Sequence, residues 1–214
     1  RSGDPEVVIA DATVRELAEL TTVDLAAAKS RGWVLAVPLG STEQHGPHLP
    51  LSTDTLIASE LCRRLAEARS DVVIAPPLAV GSSGEHQAFA GTLSIGQEAL
   101  ELVTVELCRS ATETFEHVVL ISAHGGNAAA LRRAVDRLQI ESRDVHLHQP
   151  RVEGGDLHAG RSETSMILAL RPELVGAAVV GDTRPFGEIW PELRDGGVAA
   201  VSPSGVLGDA TGAT

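Results

Sequence analysis

The chain has 214 residues, 43% of them hydrophobic and 21% charged, with 17 basic side chains against 29 acidic ones and a formal net charge of −12. That composition suits a globular domain and excludes global disorder. The charge argues against a nucleic-acid or membrane-surface partner, both of which select a cationic face, and no stretch approaches the roughly 20 apolar residues of a membrane span.

In chain order, the pattern predicts a buried strand over residues 33–39 and a helix over 54–68. That helix carries Leu56, Ile57, Leu61 and Leu65 inward and Arg63 and Arg64 outward. A strand at 72–75 precedes a helix over 98–115 with Leu102, Val105, Cys108 and Phe115 on its inner face. The strand at 117–122 contains Val118-Val119-Leu120-Ile121, almost unbroken, as strands buried on both faces are. A helix over 127–140 presents Leu131, Val135 and Leu138. A strand at 145–149 and a helix over 162–170, stopped by Pro172, complete the series. Residues 176–214, rich in Gly, Pro and Ser, predict a long excursion or an edge hairpin within a single domain spanning 1–214. Strands alternating with helices imply an α/β protein: a three-layer α/β/α sandwich on a mainly parallel sheet. Cys62 and Cys108 fall in helix-like stretches and read as buried thiols. Arg1-Ser2-Gly3-Asp4 is unlike a secretory signal, so a cytoplasmic location is expected.

Ligands of open α/β sheets bind at the carboxyl ends of the strands. The segments there gather ionisable residues. Glu43 and His45 lie two apart after the first strand, and Asp54 sits at a helix start, where it caps the helix or bridges two cations. Gly84-Glu85-His86 follows the second strand among small residues, as in an active-site loop. His124 leaves the third strand before Gly125-Gly126, whose missing side chains admit a ligand to the backbone, and Asn127 follows. Glu163 occupies the first turn of its helix. Three carboxylates and two imidazoles without a thiolate suit a pair of Zn, Mn or Fe(II) ions sharing one carboxylate. Taken singly, each residue has an ordinary structural reading: a cap for Asp54, a solvated charge for Glu163, a hydrogen-bonded ring for His124. Their joint placement after successive strands favours the metal site. His48 reads as a supporting or substrate-facing group, whereas His117, His146 and His148 lack such context. No phosphate-binding loop or nucleophile elbow is present, and neither cysteine sits in a loop suited to catalysis.

These segments resemble the creatininase family of metal-dependent amidohydrolases. The matching pieces are Gly40-Ser41-Thr42-Glu43-Gln44-His45-Gly46-Pro47-His48-Leu49-Pro50 with Asp54, Gly84-Glu85-His86 through Gly91-Thr92, His124-Gly125-Gly126-Asn127, and His158-Ala159-Gly160 with Glu163-Thr164-Ser165. The resemblance implies two divalent cations per subunit bridged by Asp54, one held by Glu43 and His124, the other by His45 and Glu163. In creatininase itself a Glu closely follows the histidine matching His124. Here Gly125-Gly126 stands in its place, and the resemblance makes Glu163 the remaining ligand. His158 matches a position near the reacting centre and is the candidate acid, with Glu43 or Glu163 as alternative proton carriers. His48, Glu85, His86, Gly125, Gly126 and Asn127 are the candidate substrate contacts. Residues 81–92 and 197–209 further resemble a peptidase branch of the family acting on a modified precursor peptide. The resemblance also implies a homo-oligomer and another helix beyond Thr214. Hydrolysis of a small cyclic amide, or metal-dependent peptide binding without cleavage, are the competing expectations.

Overall fold

The computed structural model describes residues 14–214. Five strands, β1 (Arg15–Glu16), β2 (Val34–Leu39), β3 (Val72–Ile74), β4 (His117–Ser122) and β5 (Val145–His148), form one sheet in the order β1-β3-β2-β4-β5. Every pairing is parallel. The helices are α1 (Thr22–Leu25), α2 (Thr53–Ala68), α3 (Gly96–Thr114), α4 (Ala128–Ile140), α5 (Arg161–Leu170) and α6 (Phe186–Val201).

The two faces of the sheet bury different helices, which makes three layers. Leu35, Val37 and Leu39 of β2 point with Val118 and Leu120 of β4 toward Leu100, Val105 and Cys108 of α3 and Leu131, Ala134 and Leu138 of α4. Ala36 and Ile121 point the opposite way, toward Cys62 and Ala66 of α2. This is the period-two alternation of strands covered on both sides. Both cysteines are buried and unpaired. No helix among the described residues is long and apolar enough to cross a membrane.

Several expectations need correction. The chain adds an edge strand, β1, against β3. Leu102 is 58% exposed, so the inner face of α3 runs instead through Leu100, Val105 and Cys108. Asp54 is not a cap: Ser52 holds that position, and Asp54 is the second residue of α2. β5 ends at His148, and His146 and His148 are exposed. The largest difference is α6, a helix where an excursion or hairpin was expected. Pro191 removes a backbone donor inside it, and it breaks at Gly197 (φ 68°, ψ −170°), so its sequence carries the punctuation of a loop. Ile189, Val198 and Val201 nevertheless bury against Leu207 and hold it down. Gly197 is required at the break, because a Cβ there would lie 2.6 Å from the Glu85 carbonyl oxygen.

Candidate metal centre

The parallel strands all end on one edge, and the segments beyond β2, β3 and β4 meet there with the turn entering α5. Glu43 is wholly buried, and neither carboxylate oxygen has a hydrogen-bond donor. Its neighbours are imidazoles: His124 Nε2 at 3.1 Å, His86 Nε2 at 3.3 Å and His158 Nδ1 at 3.9 Å. Asp54 sits between two more ring nitrogens, His45 Nε2 at 3.3 Å and His124 Nδ1 at 3.3 Å, one facing each of its oxygens. Glu163 Oε2 lies 3.9 Å from His45 Nε2. The structure thus brings together all five residues of the expected ligand set, with Asp54 in the middle.

Supporting contacts aim these side chains. Ser41 Oγ donates to Asp54 Oδ2 at 2.7 Å. His45 Nδ1 faces the Glu43 carbonyl at 3.2 Å, which suits a donating Nδ1–H and leaves Nε2 to face inward. The Ala159 amide, at φ 53°, donates to Glu163 Oε2 at 2.6 Å. Gln44 Oε1 accepts from the Gly46 amide, which fixes Nε2 as a donor to His86 Nδ1 at 2.8 Å. His158 Nε2 donates to the Gln44 carbonyl at 2.9 Å, turning Nδ1 toward Glu43.

The electrostatics split the histidines into two kinds. Burial opposes charge on His45, yet Asp54, with Glu163 and Glu43 behind it, overrides this and lifts the ring to about 9. His124 is likewise held well above its ordinary value, against the effect of burial, by Asp54 and Glu43. Asp54 is pulled well below the usual carboxylate range, its burial outweighed by these two rings. Burial instead pushes His86 down to about 4 and His158 well below normal. Glu163 rises to about 7, mainly through burial.

This donor set fits divalent cations. A carboxylate as deeply buried as Glu43, surrounded by imidazole nitrogens, is costly unless positive charge faces it, whether from protonated rings or from a metal ion. Three trios offer ligand atoms within 4.8 Å of one another: Glu43-His45-Asp54, His45-His158-Glu163 and Glu43-His86-His158. Sequence reasoning placed His86 with the substrate and His158 with proton transfer; the fold sets both among possible ligand atoms.

The remaining candidates divide. Glu85, Gly125 and Gly126 line a cavity of about 740 Å³ together with His86, His124 and His158. Gly126 admits no side chain, since a Cβ would meet Glu85 Oε1 at 2.2 Å and His124 Nε2 at 2.4 Å. Asn127 turns inward: it accepts from the Ser82 amide and donates to the Gly40 carbonyl, tying two site loops together. His48 is buried away from the cavities and faces Thr164 Oγ1 at 2.9 Å. Sequence reading missed Gln44 and Gln97. Gln97 lines the same cavity and donates to the Gly126 carbonyl and Ser82 Oγ. It also missed the far wall of the cavity, built by Phe186, Trp190 and Leu193 of α6.

A family model described as creatinine amidohydrolase matches residues 18–214, and the chain belongs to the creatininase family of amide hydrolases. Among curated relatives, the mycofactocin precursor peptide peptidase of Mycobacterium ulcerans (strain Agy99) is 50% identical over 190 residues, 84% of this chain and 76% of the relative. That of Mycolicibacterium smegmatis (strain ATCC 700084 / mc(2)155) is 49% identical over 188 residues, 85% of this chain and 76% of the relative. The creatinine amidohydrolase of Pseudomonas putida is 29% identical over 182 residues, 71% of this chain and 70% of the relative. A crystal structure of creatinine amidohydrolase matches with a TM-score of 0.80 at 25% identity, covering 94% of this chain and 90% of that one.

Proposed function

We propose that this chain is a dinuclear metal-dependent peptidase that cuts a modified mycofactocin precursor peptide near its C-terminal Val-Tyr and releases the lactam derived from it. The observation that carries this reading is the convergence of buried Glu43, His45, Asp54 and His124 with partly buried Glu163. The choice of substrate is supported by relatives about half identical that carry the peptidase name. On this reading the ions are Zn, Fe(II) or Mn, the assembly is a homo-oligomer and the location is cytoplasmic.

Glu43 and His124 would hold one ion, His45 and Glu163 the other, and Asp54 both. Such a pair supplies Lewis acidity and brings the pKa of water toward about 7. The chain's own residues do the rest. His158 is neutral at working pH because burial disfavours its charge, and its Nδ1 is turned to the site. That atom takes a proton as water is activated and returns it to the leaving amine. Glu43 and Glu163 are the alternative carriers. The Gln44 carbonyl holds His158 in the tautomer this needs. The α6 wall and the backbone at Gly125 and Gly126 leave room for an extended peptide.

A second reading, hydrolysis of a small cyclic amide, is supported by the creatinine amidohydrolase relative and by the fold match to a creatinine amidohydrolase structure. Incubating the metal-loaded protein with the modified precursor and with creatinine, followed by mass spectrometry, separates the two. A lactam-sized product from the peptide supports the peptidase; turnover of creatinine alone supports the second reading. An intact peptide with tight binding would make the protein a scaffold.

A further inference from the structure

A second cavity, about 590 Å³, opens beside the first and shares His124, Gly125, Leu157, His158 and Phe186 with it. Its chemistry is different. Arg132 of α4 and Arg151, beyond β5, line it, as does Ala128 in the first turn of α4, one turn from Arg132 on the same face.

Most arginines among the described residues are already engaged. Arg63 pairs with Glu60 and Arg109 with Glu141, while Arg15 and Arg31 lie over the Trp33 ring. Arg132 and Arg151 have no ion pair and no ring partner among the described residues, in a chain of net charge −12. The acids of the same cavity also have partners of their own, a histidine for two of them and a backbone amide for the third. Asp54 and Glu163 face His45, and Asp156 accepts from the Ser162 amide. The start of α4 adds positive potential on the same side.

We propose that Arg132 and Arg151 form an anion subsite that holds a carboxylate of the peptide substrate beside the scissile amide. A guanidinium's planar fork matches carboxylate geometry, and two of them line this one cavity. The subsite makes an acidic peptide the preferred substrate class, with the peptide lying from the α6 cavity across His124 and His158 into the arginine cavity. The assignment rests on the peptidase reading for which bond is cut, but not for binding.

The test therefore reads binding. Metal-loaded wild type, the R132Q/R151Q double variant and R133Q are titrated into a fluorescein-labelled peptide carrying two aspartates, and into its asparagine counterpart, by anisotropy. R133Q is the control, since Arg133, next to Arg132 on α4, pairs with Glu101 of α3. Wild type and R133Q are expected to favour the aspartate peptide by about tenfold or more, from one or two charge-assisted contacts. The double variant should lose that preference with its metal content and melting temperature unchanged. R132K/R151K should restore part of it. Equal affinity of wild type for both peptides, or an undiminished preference in the double variant, overturns the subsite. Absence of precursor cleavage alongside the expected binding pattern would instead count against the peptidase reading alone.

Discussion

His45 Nε2 and Asp54 Oδ1 face each other at 3.3 Å with both side chains withdrawn from water. Asp54 is anchored by Ser41 and placed by the first turn of α2, and His45 is aimed by the Glu43 carbonyl. These contacts aim the two side chains at each other, and the surrounding carboxylates favour a proton on the imidazole that a metal would have to displace.

Metal uptake is therefore expected to release protons. His45 stands at about 9, so below that pH its proton competes with the cation. Apparent affinity should rise with pH between about 6 and 8, by up to about tenfold per unit for each proton displaced. Chelator competition at several pH values measures this, and a flat affinity would contradict it.

Gly126→Ala should damage both stability and activity. Its Cβ would meet Glu85 Oε1, His124 Nε2 and the Ser82 carbonyl within 2.4 Å, and the Ser82 carbonyl is backbone. Overpacking of this kind costs about 1–3 kcal/mol. Denaturant melts together with turnover check it. Gly125→Ala is the contrast, since its Cβ would meet nothing within 4 Å.

Trp190→Ala should act on substrate rather than on folding. The ring is 46% exposed and packs on Phe186 with centroids 5.3 Å apart at the cavity wall. KM for the peptide is expected to rise severalfold with kcat little changed, because the lost contact is made equally in ground and transition states. Steady-state kinetics decide; a fall in kcat with constant KM would place Trp190 nearer the chemistry.

Glu60 governs part of the acid stability. Its hydrogen bonds to Arg63 and Arg64 hold the carboxyl down at about 2. A depressed folded value means the contribution is complete above the unfolded pKa near 4.5 and is lost as pH falls from there toward 2. Glu60→Gln should lower stability by about 0.5 kcal/mol at neutral pH and by progressively less below pH ~4. Urea melts across that range test it.

The sheet was legible because parallel strands buried on both faces announce themselves: Val118-Val119-Leu120-Ile121 alternates between the α3–α4 layer and the α2 layer. The expected ligands were legible because four successive segments leave one edge. What was hidden depended on tertiary contact. Nothing local marks α6 as a helix, since Pro191 and Gly197 interrupt it and only burial against Leu207 and the segment holding Glu85 restores it. Asn127 looked like a substrate contact, yet its partners, Ser82 and Gly40, lie 45 and 87 residues away. His86 and His158 approach Glu43 because Gln44 holds both rings, a relation no spacing encodes.

The metal count per chain tests the account most directly. Wild type reconstituted with Zn, Mn or Fe(II) and then desalted should retain about two ions per chain by mass spectrometry, and Asp54→Asn, which removes the shared ligand, should retain fewer than about one. Two ions retained without the Asp54 carboxylate, or none retained by the wild type, would contradict a cation pair assembled around this residue.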